Sequence, residues 1–476
     1  MKILFASAEV APFAKVGGLA DVAGSLPLAL AARGHDVRVI MPKYLTISEG
    51  PWERQRVLDG CPVPMADHMS GCALDESRLP GSEVPIYFVE HHDYFSRPGI
   101  YGPPGGAYPD NLERLTFFSR AVLAVLEPLG WQPEGIHLND WHTALVAVYL
   151  EGGTPATVYT IHNLGPAYQG TFPAAKLPVT GLRADYPCAK NLLVNEQLNL
   201  AAAGLSCADM VNTVSPTYAK EIAAAGFSGA LAALVQARGA DVWGILNGID
   251  YTAWDPATDS KIPAHYDAKS LAGKTACKAA LQQSMGLEVN PDIPLVGLVT
   301  RLDAQKGLDL LAEGLPKLTQ MQLAVLGTGD PALEKVFAEA AQTRAEVGVM
   351  LKFDEALARL IYAGSDMFLM PSRYEPCGLG QMIAMRYGTL PVVRATGGLA
   401  DSVIEKPRRG QKQNGFVFEA YTSAALVEAL LRAAELYRRK PKVWAELVQN
   451  ALGTDFSWDQ SAGEYEKLYA AALKKT

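Results

Sequence analysis

From residue 2 to residue 8 the chain reads KILFASA, an apolar run rich in β-formers and bounded by Pro12 and a glycine loop, the pattern of a strand buried on both faces. Helical spacing of apolar residues follows from about Leu19 to Arg33 and stops at Gly34, before a second apolar run, DVRVIMP. Strand, glycine turn, helix and strand make a βαβ unit. The alternation continues with strands near 85–90, 135–139, 157–162 and 210–214, separated by helical stretches such as NLERLTFFSRAVLAVLEPL, and predicts a doubly wound parallel sheet. Between about 243 and 290 the pattern breaks: NGIDYTAWDPATD carries turn residues, and a helix near 269–285 follows. A second series then starts afresh with IPLVGLVTR, MQLAVLG, VGVMLKF, DMFLMPS and LPVVRA, with helices from Gly307, Pro331, Glu355, Leu379 and Gly398 between and after them. The expected architecture is α/β, with one Rossmann-like domain over 1–245 and another over 246–456. The amphipathic end, 457–476, is expected to cross back onto the first. Two such sheets facing each other leave a deep cleft at the carboxyl ends of their strands.

A chain of 476 residues has room for two cores. Its formal charge of −8 and the lack of any long Lys/Arg block apart from KPRRGQK at 406–412 exclude nucleic acid as the expected partner. No apolar run reaches membrane-helix length, so no membrane partner is expected, and Glu9 interrupts the only stretch that resembles a signal peptide. Six cysteines, Cys61, Cys72, Cys188, Cys207, Cys277 and Cys377, are scattered without metal-ligand spacing and fit reduced thiols in a cytoplasm. His91 and His92 are adjacent, so on a strand they point to opposite faces and read as structural. No metal is expected.

The word GGLAD occurs twice, at 17–21 and at 397–401. Each copy follows a strand and opens a helix, where glycines admit a ligand close to the backbone and unpaired N–H groups face it. Lys15 precedes Gly17 and Gly18, and Thr396 precedes Gly397, so the two loops suit the phosphates of one ligand. Neither matches the dinucleotide fingerprint G-x-G-x-x-G, which argues against a nicotinamide dehydrogenase. The chain has no Asp-x-Asp, so the countercharge for a diphosphate falls to cations at a strand end, Arg301 and Lys306 in VTRLDAQKGLD. In PSRYEPCGLGQ, Glu375 can accept hydrogen bonds from sugar hydroxyls, while the amides of Cys377, Gly378 and Leu379 open a helix toward a phosphate. Two further strand ends carry polar clusters: Asp140 with His142, and His162 with Asn163.

Taken together, KVGGLADV, NDWHTAL, TIHNL, TVSPTYAKEI, GILNGID, VTRLDAQKGLDLL, LGTGD, PSRYEPCGLGQMIAMRYGTLPVVRATGGLADSV and NGFVFEAY resemble, in order and over essentially the whole chain, the bacterial glycogen synthases and plant starch synthases. The resemblance implies a GT-B fold and metal-free transfer of glucose from ADP-glucose to the non-reducing end of an α-1,4-glucan, with retention. It assigns the donor to Lys15, Gly18, Arg301, Lys306 and Glu375, with Thr396 and Gly397 at the distal phosphate. Asp140, His162, Asn163 and Asn247 are assigned to the surroundings of the transferred glucose. Val16, Gly380 and Ala395 depart from residues common in the family, without removing a charged group from this set. Ile383 stands where a Glu-x7-Glu glycosyltransferase would need an acid. UDP-glucose as donor and an inactive glucan-binding scaffold are the competing readings.

Overall fold

The computed structural model describes residues 1–103, 105–150, 152–182 and 189–476, so Cys188 lies outside the described residues. The chain separates into two compact units, Met1–Gly248 with Trp458–Thr476, and Ile249–Ser457. Among the described residues no helix is long and apolar enough to cross a membrane.

The first unit holds a nine-stranded sheet in the order Val242–Gly244, Met210–Thr213, Ala156–Ile161, Gly135–Asn139, Lys2–Ala6, Asp36–Pro42, Pro85–Glu90, Met69–Arg78 and Gln55–Pro64. Seven of these run parallel, and every residue of Ala156–Ile161 is buried, as continuous apolar strands in such sheets are. The last two form an antiparallel hairpin that the sequence pattern did not predict. Its first strand carries Asp59, Gly60, Pro62 and Pro64 and alternates poorly, because at a sheet edge one side needs no hydrogen-bonding partner and proline is tolerated. A small sheet of Thr171–Pro173, Gln197–Asn199 and Leu193–Val194 also went unpredicted, its strands being two or three residues long. The helix Trp458–Ala472 packs within this unit: Tyr469 Oη lies 2.7 Å from His137 Nδ1, and Asn212 Nδ2 donates to Tyr465 Oη at 3.2 Å.

Six parallel strands make the second unit's sheet, in the order Val347–Met350, Gln322–Leu326, Leu295–Val299, Met367–Met370, Leu390–Arg394 and Phe416–Phe418. Numbered along the chain this is 3-2-1-4-5-6, the Rossmann order, whose direction reverses between its first and fourth strands. Ligands of such sheets bind outside the carboxyl ends at that reversal. Here the reversal lies between the strand that leads to Arg301 and the strand that leads to Glu375. In the first unit the direction reverses at Lys2–Ala6, beside Gly135–Asn139, so Glu9 and Asp140 leave the sheet there.

A buried ion pair ties the second unit together. Lys278 Nζ donates to Asp366 Oδ2 at 2.7 Å, to Pro291 O and Ile293 O at 2.8 Å, and to Tyr437 Oη at 2.9 Å; Asp366 Oδ2 also accepts the Leu295 N–H at 2.8 Å. Removing one partner of a buried pair strands the other charge. Asp366→Ala is therefore expected to lower unfolding stability by about 3–5 kcal/mol, read from denaturant midpoints. A loss below about 1 kcal/mol would show the pair to be solvated.

Candidate functional site

In the second unit, Asp303 closes the turn that presents Lys306, its Oδ1 accepting the Lys306 N–H at 3.1 Å. Gly307 adopts φ +69°, and a Cβ there would overlap the carbonyl oxygen of Pro371, so only glycine lets this turn lie against the neighbouring strand end. That approach brings Lys306 to Glu375: Nζ donates to Oε2 at 2.7 Å, and Ser372 Oγ donates to the same oxygen at 2.9 Å. Glu375 is buried and Lys306 nearly so. Arg301 is 59% exposed on its side chain and pairs with Asp303 at 2.9 Å, which leaves much of the guanidinium open to solvent.

The second GGLAD word sits directly against this cluster. Gly398 N–H donates to Glu375 O at 3.1 Å and to Pro376 O at 3.2 Å. A Cβ on Gly397 would overlap Glu375 O, and one on Gly398 would overlap Cys377 O. These glycines are thus required by the protein's own backbone. Thr396 N-caps this six-residue helix from a buried position, while Gly378, at φ +73°, and Leu379 lead into the helix Gly380–Arg386. Gly380 packs closely on the Phe368 ring, where a larger residue has no room without a shift.

In the first unit Asp140 follows its strand in the left-handed region, at φ +54°. Its Oδ1 accepts the His162 backbone N–H at 2.7 Å, and the Asn163 N–H bonds to the same carboxyl. Burial nevertheless dominates and pushes the Asp140 carboxyl up to about 8, with the charge of Glu9 adding to the effect. His162 Nε2 lies 2.9 Å from Asn139 Oδ1, and burial brings its imidazole down to about 3, so the ring stays neutral. His142 is held down to about 3 by the same cause, and its Nδ1 is buried without a hydrogen-bond partner among the described residues. Asn247 Oδ1 is in the same condition, a buried acceptor with space in its hydrogen-bond complement for a ligand.

The first GGLAD word differs from the second. Gly17 and Gly18 have open space where a Cβ would stand, and Lys15, half exposed, pairs with Asp21 at 2.6 Å. Val16, the departure from the family pattern, is 65% exposed. Sequence reasoning missed Glu9, which it read only as a break in an apolar run; the carboxylate accepts N–H groups from this loop. It also missed Phe353, 91% exposed in the loop after Val347–Met350, whose free ring face can stack a planar group. His91, by contrast, stacks on Tyr94 at 4.3 Å, a packing role. Among the described residues, no group of three or more His, Cys, Asp or Glu is placed to hold a metal ion.

Two doubly wound units, each with charged and polar residues gathered where its strand order reverses, are the architecture expected of a glycosyltransferase of the GT-B fold. Residues 2–237 match the family model of the starch synthase catalytic domain, and 283–450 that of the group 1 glycosyl transferases. The glycogen synthase of Syntrophotalea carbinolica is 46% identical, covering 100% of this chain and 99% of its own; that of Moorella thermoacetica is 45% identical, covering 100% and 97%. Among solved structures, the catalytic domain of starch synthase IV from Arabidopsis thaliana, bound to ADP and acarbose, superposes with a TM-score of 0.90 at 35% identity, covering 99% of each chain. Sucrose-phosphate synthase from Thermosynechococcus elongatus, with a TM-score of 0.61 at 20% identity, shares the fold. The chain belongs to the glycogen synthase and starch synthase family.

Proposed function

We propose that the protein transfers glucose from ADP-glucose to the non-reducing end of an α-1,4-glucan, with retention and without a metal. The Lys306–Glu375 pair at the second unit's strand reversal, its carboxylate buried, carries this reading. It offers an ammonium for a diphosphate beside a carboxylate for sugar hydroxyls. The ADP and acarbose named for the Arabidopsis starch synthase support the donor and acceptor classes.

In this reading Arg301 and Lys306 stabilise the charge that develops on the diphosphate as the bond from glucose C1 to the phosphate oxygen breaks. On the second unit, amides at Cys377, Gly378, Leu379 and Gly397 with Thr396 offer phosphate contacts, and on the first unit Gly18 and Lys15 offer their own. Glu375 takes glucose hydroxyls, Phe353 stacks the base, and Asn163 and Asn247 hold the sugar. A new bond forms from C1 to the acceptor oxygen on the same face, and the acceptor's proton leaves with the departing phosphate. Asp140, whose carboxyl burial pushes up to about 8, serves the sugar as a hydrogen-bonding partner near C1, with the His162 carbonyl. No carboxylate pair in glycosidase-like roles is identified in the sequence, so no covalent glucosyl-enzyme is invoked. Cys61, Cys72 and Cys277 are free thiols among the described residues, in keeping with a reducing compartment.

The test is incorporation of labelled glucose into glycogen from ADP-glucose, with UDP-glucose in parallel and with excess EDTA. Transfer from ADP-glucose is expected to exceed that from UDP-glucose and to survive the chelator. Absence of incorporation, or preference for UDP-glucose, overturns the donor assignment. Activity lost to EDTA and restored by Mg²⁺ overturns the metal-free account.

A further inference from the structure

Glu9 is a buried carboxylate that no step above uses. Among the described residues no Lys, Arg or His lies within ion-pair distance of it, yet three donors converge on its two oxygens. Val16 N–H and Gly17 N–H donate to Oε2 at 2.6 and 3.0 Å, and Tyr101 Oη donates to Oε1 at 2.7 Å. Its own backbone is fixed by Ser7, whose Oγ donates to Glu9 O at 2.6 Å. Burying an uncompensated charge is costly, and an amide or apolar side chain in a structural role avoids that cost. The three donors come from two other segments at the same end of the sheet. Gly17 N-caps the helix Gly18–Ala32 and has no side chain with which to cap it. Tyr101 belongs to the segment leading to the helix Asn111–Ala124; its carbonyl accepts from Asn111 Nδ2 at 2.8 Å, and its ring stacks on His142 with centroids 4.9 Å apart.

We propose that Glu9 is a positioning residue for glucosyl transfer: its carboxylate ties the glycine loop at Val16 and Gly17, and the Tyr101 hydroxyl, into one arrangement. Bonds to a charged acceptor are shorter and stronger than neutral ones, so a single side chain can hold both segments without covering the open space at Gly17 and Gly18. The stacked Tyr101 and His142 rings pass the same constraint to the segment that begins at Asp140.

The kinetic half of this inference rests on the proposed transfer reaction, so the experiment has two readouts. In the full-length protein, Glu9→Ala is expected to lower kcat for transfer by about 100-fold, the scale of a misplaced site, while KM for ADP-glucose changes less than about threefold. Glu9→Gln keeps an oxygen for Val16 and Gly17 and is expected to recover to within about tenfold of the parent. A purely structural role would lower both variants' activity only in step with their folded fraction, which thermal melts measure. Amide hydrogen exchange at Val16 and Gly17 reads the loop whether or not transfer is seen, and is expected to accelerate by at least about tenfold in Glu9→Ala. Unchanged exchange overturns the proposal. So does unchanged kcat in a protein whose parent transfers glucose, or a Glu9→Gln variant as impaired as Glu9→Ala. Exchange that accelerates while the parent itself shows no transfer overturns the reaction and leaves Glu9 as the tie between the two segments.

Discussion

Lys306→Ala is expected to lower kcat/KM for ADP-glucose by about a thousandfold, the scale of losing one preorganised donor to a developing anion with some binding besides. Two effects combine. The ammonium proposed to face the diphosphate is gone, and Glu375, which it contacts at 2.7 Å, becomes a buried carboxylate supported by Ser372 Oγ but without its cation. That carboxylate then repels the donor's phosphates. The effects separate in Lys306→Ala with Glu375→Gln, where the repulsion is absent: KM is expected to recover partly and kcat to stay low. Added Mg²⁺ is expected to rescue neither. Near-parental transfer by Lys306→Ala, with or without Mg²⁺, would end the electrostatic account. Melting curves run alongside exclude unfolding, which matters because a stranded buried charge also costs stability.

The residues that compose this pair were legible in the sequence, but their meeting was not. Arg301, Lys306 and Glu375 stand out because each follows an apolar run where a parallel strand ends, and strands buried on both faces are the easiest elements to read. That Lys306 touches Glu375, 69 residues later, depends on strand order, since the two strand ends adjoin only because the 3-2-1-4-5-6 order places the first strand beside the fourth. The edge hairpin Gln55–Arg78 escaped notice for the opposite reason. With its outer edge unpaired, the strand Gln55–Pro64 tolerates Asp, Gly and Pro, which read as turns. Glu9 is illegible in a different way: a buried carboxylate and a solvated one are the same letter, and one of the three groups that compensate this one, the Tyr101 hydroxyl, comes from 92 residues away. Phe353 reads as one more apolar residue after VGVML, and only its exposure sets it apart from the core.

The paired GGLAD words give the sharpest contrast, because identical letters predict opposite mutational outcomes. Gly397→Ala is expected to cost about 3 kcal/mol or more, since a Cβ at φ +43° is strained and overlaps the Glu375 carbonyl. The displaced segment carries Glu375 itself, so transfer is expected to fall along with stability. Gly17→Ala meets neither obstacle. Its backbone is extended, at φ −140° and ψ −169°, and nothing lies within 4 Å of the added methyl group. Its melting temperature is therefore expected to match the parent's, a stability change within about 0.5 kcal/mol. Whatever activity it loses reports on a ligand. If a phosphate approaches this backbone as closely as the open space allows, turnover is expected to fall at least about tenfold, the effect of a small misplacement at a reacting group. Parental turnover in Gly17→Ala would remove the first glycine word from the donor site and leave the helix start as a turn held by Glu9. A Gly397→Ala variant of parental stability would show that the Glu375–Cys377 segment yields readily, and that the second word's glycines serve the ligand after all.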